Sequence, residues 1–234
     1  MRGGWNRGHT KETSESVRKT SETMRARKLD NFAHWRTEAR ANGRIQDSSK
    51  VLIKNGDLAE LLGAILGDGN IGRLARCECL RIVGNTTHYG FVERSARLVE
   101  SVFGKTPTVA KRNDSEGVNI TLYQKNIAAR LGLPTGAKGE LVFILPSWIR
   151  ASREYKIRFL RGLYEAEGSL SHHEATYTHK FIFANVNPSL LDLVFELVRE
   201  LGFHPHRSKT QIQVSRKEEV QKLPDLLQFR HYDS

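Results

Sequence analysis

Two acidic residues, Asp68 and Glu167, close two short stretches of similar design: LLGAILGDG at 61–69 and LRGLYEAEG at 160–168. Each stretch is patterned as a helix, yet the first holds Gly63 and Gly67 and the second Gly162. An interior glycine costs a helix about 1 kcal/mol against alanine. An acid at a helix C-terminus faces the negative end of the macrodipole. Both penalties make sense if the small residues, four apart at Gly63/Gly67 and Gly162/Ala166, form a strip along which two helices cross closely. The crossing would set Asp68 beside Glu167. Two carboxylates at two negative helix ends call for a cation, and hard divalent cations take carboxylate and carbonyl oxygens.

The elements needed to carry these helices occur twice. Asp57 stands three residues before Glu60, the capping-box spacing, and is expected to cap the first motif helix. Beyond it the pattern predicts a hairpin at 70–74 and 77–84, a helix at 88–103 ending at Gly104, strands at 107–112 and 118–123, a helix at 125–131 and a loop at 134–147. The second motif helix is expected at 153–166, followed by a strand at 177–186, a helix at 189–201, a strand at 211–214 and a helix at 216–228. His172 and His173 read as loop. Gly162, Glu167 and Gly168 fall under Gly63, Asp68 and Gly69 at a constant offset of 99 residues. The chain therefore reads as an α+β fold built by pseudo-twofold duplication of an αββαββα unit, with halves at 51–145 and 146–234.

Residues 1–50 form a basic helical extension. They carry 12 Lys/Arg against 6 Asp/Glu, and so +6 of the net charge of +11. Thr10 or Thr13 is expected to cap a polar helix whose thin apolar edge is Val17, Thr20 and Met24. Phe32, Trp35 and Ile45 would dock a second small helix, ended at Asn42-Gly43. The pI of about 9.8 points to a polyanionic partner. Cys77 and Cys79 are too close along one strand for a strain-free disulfide and lack a second pair for zinc, so they read as reduced thiols. No apolar run reaches membrane-span length, and no hydrophobic signal region opens the chain. A cytoplasmic, nucleoid or organellar protein is expected, neither secreted nor in a membrane.

The two matched stretches resemble the paired motifs of single-chain LAGLIDADG homing endonucleases, over residues from about 51 to 230. The resemblance implies two antiparallel, saddle-shaped sheets, with the two motif helices packed at their interface. It implies a site-specific double-strand endonuclease that hydrolyses a long asymmetric DNA target as a monomer. Asp68 and Glu167 would hold Mg²⁺, with the carbonyls of Gly67 and Ala166 completing the shells. Mn²⁺ would substitute, and Ca²⁺ would bind without supporting cleavage. Lys138 lies where similar proteins carry a lysine that polarises the attacking water. Leu66 and Glu165, at the sixth motif position, would pack or cap.

Strand alternation nominates the side chains that meet DNA. Ile120 and Leu122 point inward, leaving Asn119, Thr121 and Tyr123 outward. Ile212 and Val214 point inward, leaving Gln211 and Gln213 outward. Arg73, Arg76, Arg81, Lys111, Arg112, Lys180, Arg207 and Lys209 are the basic candidates, some for phosphates alone. GHTKETSESVRKTSETMRARK at 8–28 resembles the modular DNA-binding repeats appended to intron-encoded nucleases, and His9, Thr10, Arg18 and Lys19 are its candidate contacts. Two alternatives share the scaffold: an intron RNA maturase, and a DNA-binding regulator that does not cleave. The presence of both acids favours the nuclease. The termini lack protein-splicing residues, so a free-standing or intron-encoded enzyme is expected.

Overall fold

The computed structural model describes residues 7–30, 32–42, 51–113, 115–173 and 178–232. The chain divides into two compact units, 1–47 and 48–234. In the first unit, α1 (Glu15–Ala26) and α2 (Ala33–Ala41) follow one another. Helix α1 buries no residue and α2 only Ala39. Ser14, not Thr10 or Thr13, occupies the N-cap of α1, and its side chain makes no capping bond. The Thr13 hydroxyl instead accepts from the Thr10 amide at 2.8 Å, inside the preceding turn. Phe32 and Trp35, expected to dock α2, are 65% and 52% exposed. Ile45 and Gly43 lie outside the described residues.

The second unit repeats one design. Its first half contains α3 (Gly56–Asp68), β1 (Gly69–Arg73), β2 (Glu78–Asn85), α4 (Tyr89–Phe103), β3 (Thr108–Lys111), β4 (Gly117–Gln124) and α5 (Ile127–Leu131). A linker with the single turn α6 (Ser147–Arg150) leads to the second half. This contains α7 (Arg153–Glu167), β5 (Gly168–His173), β6 (Thr178–Ala184), α8 (Pro188–Glu200), β7 (His206–Arg207), β8 (Gln211–Val214) and α9 (Glu219–Leu227). The sheet orders are β1-β2-β4-β3 and β5-β6-β8-β7, antiparallel throughout. Residues 168–173, including His172 and His173, are therefore strand and not loop. They pair with β6 as β1 pairs with β2.

Each sheet packs its apolar face against helices and leaves the other face outward. Ile71, Leu80, Ile82, Val118, Ile120 and Leu122 are buried from the first sheet, and Phe181, Phe183, Ile212 and Val214 from the second. One continuous core joins them through α3 and α7. The capping-box expectation fails. Asn55 is the N-cap of α3, its Oδ1 accepting from the Leu58 amide at 2.9 Å. Asp57 instead accepts from Ser101 at 2.7 Å and Arg158 at 2.6 Å. Glu60, 1% exposed, receives Arg94 and Arg158, with Arg161 at 3.7 Å. A carboxylate buried so deeply requires paired cations, and this requirement removes Glu60 from any capping role.

Candidate active site and nucleic-acid interface

Helices α3 and α7 cross with their backbones in contact. A Cβ placed on Gly63 would lie 2.2 Å from the Phe159 carbonyl oxygen, and one on Gly162 would lie 2.0 Å from that of Glu60. These contacts are related by the same offset of 99 that relates the motifs. One turn further on, a Cβ on Gly67 would come within 2.4 Å of the Ala166 Cβ, so the crossing accommodates one methyl there and not two. Gly69 and Gly168 then return the chain sharply into β1 and β5. A Cβ on either would strike the preceding turn, at Ile65 Cα (2.5 Å) or Tyr164 O (2.3 Å). The small residues thus set both the helix approach and the turns that leave Asp68 and Glu167 at the crossing.

Asp68 and Glu167 interact there. Burial pushes the Asp68 carboxyl up to about 6; the Glu167 charge adds to the push and Lys138 opposes it. Asp68 keeps an exposed edge, so the crowding comes from one side. Burial also raises Glu167, while Lys138 and a 3.2 Å hydrogen bond from Asn185 Nδ2 hold it back. Lys138 Nζ donates to the carbonyls of Ile65, Leu66 (2.9 Å) and Gly67 (3.0 Å). It thereby supplies a cation to the negative end of α3. Burial lowers Lys138 to about 8 against the pull of both acids, so at neutral pH it remains an ammonium. The Gly67 carbonyl, assigned from sequence to a metal shell, already accepts this bond.

The linker carrying Lys138 is held from both halves. Asn70 Nδ2 donates to Gly136 O at 3.1 Å, and the Gly136 amide donates to Ile71 O at 2.9 Å. Asn187, N-cap of α8, donates to the carbonyls of Lys138 (3.0 Å) and Leu141 (2.8 Å). Sequence reasoning missed Asn185 and Asn187. The only sign was the pair of polar residues flanking Val186 between a strand and a helix. Glu165 accepts from the Arg230 amide (2.6 Å) and the Tyr232 hydroxyl, which ties the C-terminal segment to α7. A cleft of about 840 Å³ between linker residues 139–145 and α8 contains neither Asp68 nor Glu167.

Among the described residues no group of three or more His, Cys, Asp or Glu is placed to hold a metal ion. The available donors are the two carboxylates and the helix-end carbonyls, an all-oxygen set. It suits a hard divalent cation that takes its remaining ligands from phosphate and water. Burial is the first cause of both raised carboxyl pKa values, and at Asp68 the neighbouring Glu167 charge adds to it.

Strand register sorts the nominated DNA contacts. Arg81, Asn119, Thr121, Tyr123, Lys180, Gln211 and Gln213 alternate with buried residues and share the outward faces. Arg73, Lys111 and Arg207 do not: they have the parity of Ile71, Ile120 and Ile212 and belong to the helix side. Lys111 pairs with Glu116 at 3.0 Å, and Arg207 with Asp192 of α8 at 2.5 Å. Arg76 and Lys209 sit exposed in turns, and Arg112 just beyond β3. His9, Thr10, Arg18 and Lys19 are exposed in the first unit.

A family model described as a LAGLIDADG-like domain matches residues 154–227, from α7 to α9. The match covers less than half of the chain, within its second repeat. The chain's fold is similar to that of the homing endonuclease I-WcaI bound to its DNA recognition sequence: 16% identity, TM-score 0.53, covering 76% of this chain and 82% of the other. It is similar to a variant of I-DmoI in complex with its target DNA in the presence of magnesium: 16% identity, TM-score 0.51, covering 74% and 96%. These likenesses show the two-sheet LAGLIDADG fold. A tRNA-splicing ligase RtcB of Methanopyrus kandleri is 28% identical over 134 residues, which are 50% of this chain and 13% of the ligase. The match thus spans a small part of that relative's length. No helix among the described residues is long and apolar enough to cross a membrane.

Proposed function

We propose that the protein is a site-specific DNA endonuclease that hydrolyses one phosphodiester on each strand of a long, asymmetric target. The observation that carries this reading is the meeting of Asp68 and Glu167 at the α3–α7 crossing, between two sheets whose outward faces are polar and basic. The fold supports it, because both I-WcaI and I-DmoI were solved with DNA. Divalent metal ions bound by Asp68 and Glu167 would supply Lewis acidity at the scissile phosphates. Mg²⁺ is the natural choice, with Mn²⁺ substituting and Ca²⁺ binding without turnover.

The chain's own residues do the rest. The two acids contribute charge and orientation, and their separation is fixed by backbone contact at Gly63 and Gly162. Asn185 holds the Glu167 carboxylate by one oxygen. Lys138, an ammonium that feels the charge of both acids, would stabilise the negative charge that builds on a phosphate there. The outward strand residues seat the duplex in the major groove, and the basic extension of residues 1–50 lengthens the footprint. Since one chain holds both motifs, a monomer suffices.

The test is incubation with a randomised duplex library in Mg²⁺ and in Ca²⁺, alongside Asp68→Asn and Glu167→Gln. Double-strand cuts at a defined sequence in Mg²⁺, reduced to nicks or abolished in the variants, are expected. Tight sequence-specific binding by folded protein without any cutting would overturn the nuclease and leave a regulator, or a maturase to be tried on intron RNA.

A further inference from the structure

We propose that two equivalent outward strand positions, one step from the motif glycines, read different bases on the two sides of the target: guanine through Arg81 on the first sheet, and thymine, by its 5-methyl group, through Ile182 on the second. This rests on the reading of the outward sheet faces as a duplex-DNA surface. The two sheets correspond strand by strand. Gly69 and Gly168 follow the two acids and pair with Ile82 and Phe183. One residue on, Asn70 pairs with Arg81 and Ser169 with Ile182. In the next strand, Arg81 pairs with Thr121 and Ile182 with Gln213. Asn70–Arg81–Thr121 and Ser169–Ile182–Gln213 are thus the same row in the two halves, one step from the motif glycines.

Both rows face outward. Ile82 and Leu80 on either side of Arg81 are buried, as are Phe181 and Phe183 on either side of Ile182. The duplication hides this equivalence, because the constant offset of 99 would set Arg81 against Lys180 and suggest a symmetric pair of cations. The registers set Lys180 against Cys79 instead, since both oppose the third residue after a motif glycine, Ser171 and Gly72. The hairpin of the second half holds two more residues between the acid and the equivalent position.

Chemistry then divides the two sides. A guanidinium presents paired donors that match O6 and N7 of guanine. Isoleucine has neither donor nor acceptor, and pressing it against a polar base edge strips that edge of water without replacement. The thymine methyl is the apolar feature of the major-groove edge, and it fits an aliphatic side chain. Gln213, next in the row, can meet an adjoining adenine.

The test uses the full chain bound to a randomised duplex library in Ca²⁺, so that binding is read without cleavage. Wild type should enrich guanine at one base pair and thymine at its mirror-related partner. Arg81→Ile should lose the guanine preference alone, by about tenfold or more, and Ile182→Ala the thymine preference alone. Ile182→Val should retain it, which separates the methyl contact from general damage to the sheet. Replacing that thymine by deoxyuridine removes only the methyl; it should weaken wild type several-fold and leave Ile182→Ala unchanged. Equal binding of thymine and deoxyuridine by wild type would overturn the proposal. So would an unaltered preference in either variant. Enrichment of no sequence by wild type would overturn the DNA reading itself, and is recognised because no preference then exists for a variant to change.

Discussion

Gly67 and Ala166 face one another so closely that a Cβ on the glycine would lie 2.4 Å from the alanine methyl. One methyl fits between the helices and two do not. Gly67→Ala is therefore expected to destabilise the protein by about 1–3 kcal/mol through overpacking, and to push Asp68 and Glu167 apart. Adding Ala166→Gly moves the single methyl to the other helix and should recover most of the loss. Urea unfolding of the two single variants and the double variant measures the coupling. Additive losses in the double variant would count against a shared steric origin.

The charge at the crossing has its own signature. The folded-state pKa of Asp68 is raised to about 6, above the unfolded value near 3.9. A raised carboxyl pKa means that the folded state favours the proton, so the ionised group opposes folding. Relative to Asp68→Asn, which does not titrate, wild type should lose stability as pH rises from about 4 through 6, and hold a constant deficit above that. The solvent-facing edge of the side chain screens part of the effect, which leaves on the order of 1 kcal/mol. Metal-free thermal melts at pH 4.5 and 7.5 decide the matter. An advantage for the variant of equal size at both pH values would point to packing and not charge.

The duplicated motifs, the element order and the alternation in β4 and β8 were legible because periodicity and spacing are local properties of a chain. Strand β5 was not, since GSLSHH is short of branched and aromatic residues and forms a strand through its pairing with β6. The cap of α3 was misplaced because Asn55, Asp57 and Glu60 are all plausible near a helix start. Only tertiary structure reveals that three arginines claim Glu60. At the site, Asp68 and Glu167 stood out by repetition. Asn187 acts across the join between the halves and Asn185 on Glu167 from the far end of β6, contacts that local spacing does not announce. The misplacement of Arg73, Lys111 and Arg207 shares one cause: basic type was weighed without parity, and one residue along a strand exchanges the two faces.

Tyr164 sits in the second motif with its ring stacked on Phe181 at a centroid distance of 4.5 Å. It is fully buried, and its hydroxyl has no hydrogen-bond partner among the described residues. Burial alone raises the phenol pKa far above its ordinary value. Tyr164→Phe keeps the stacking and removes an unsatisfied polar atom, so stability should rise, by about 1 kcal/mol. Chemical denaturation checks it. A loss of stability would reveal a partner for the hydroxyl, such as an internal water.

Metal binding should couple to both carboxylates and hence to pH. A ligand that binds only the folded state raises its stability by mass action, and a cation needs the acids ionised. Lys138 reduces, without removing, the negative charge that Asp68 and Glu167 bring to the helix ends. Adding Mg²⁺ or Ca²⁺ at pH 7.5 is therefore expected to raise the melting temperature of wild type. The rise should shrink at pH 5.5, below the value of about 6 to which Asp68 is shifted. Asp68→Asn combined with Glu167→Gln should melt at one temperature with or without the cation. Lys138→Met leaves the acids more exposed to each other's charge, so the metal-free protein should be less stable and the cation-induced rise larger. A smaller rise in Lys138→Met would show that the lysine assists the cation and does not stand in for part of its charge.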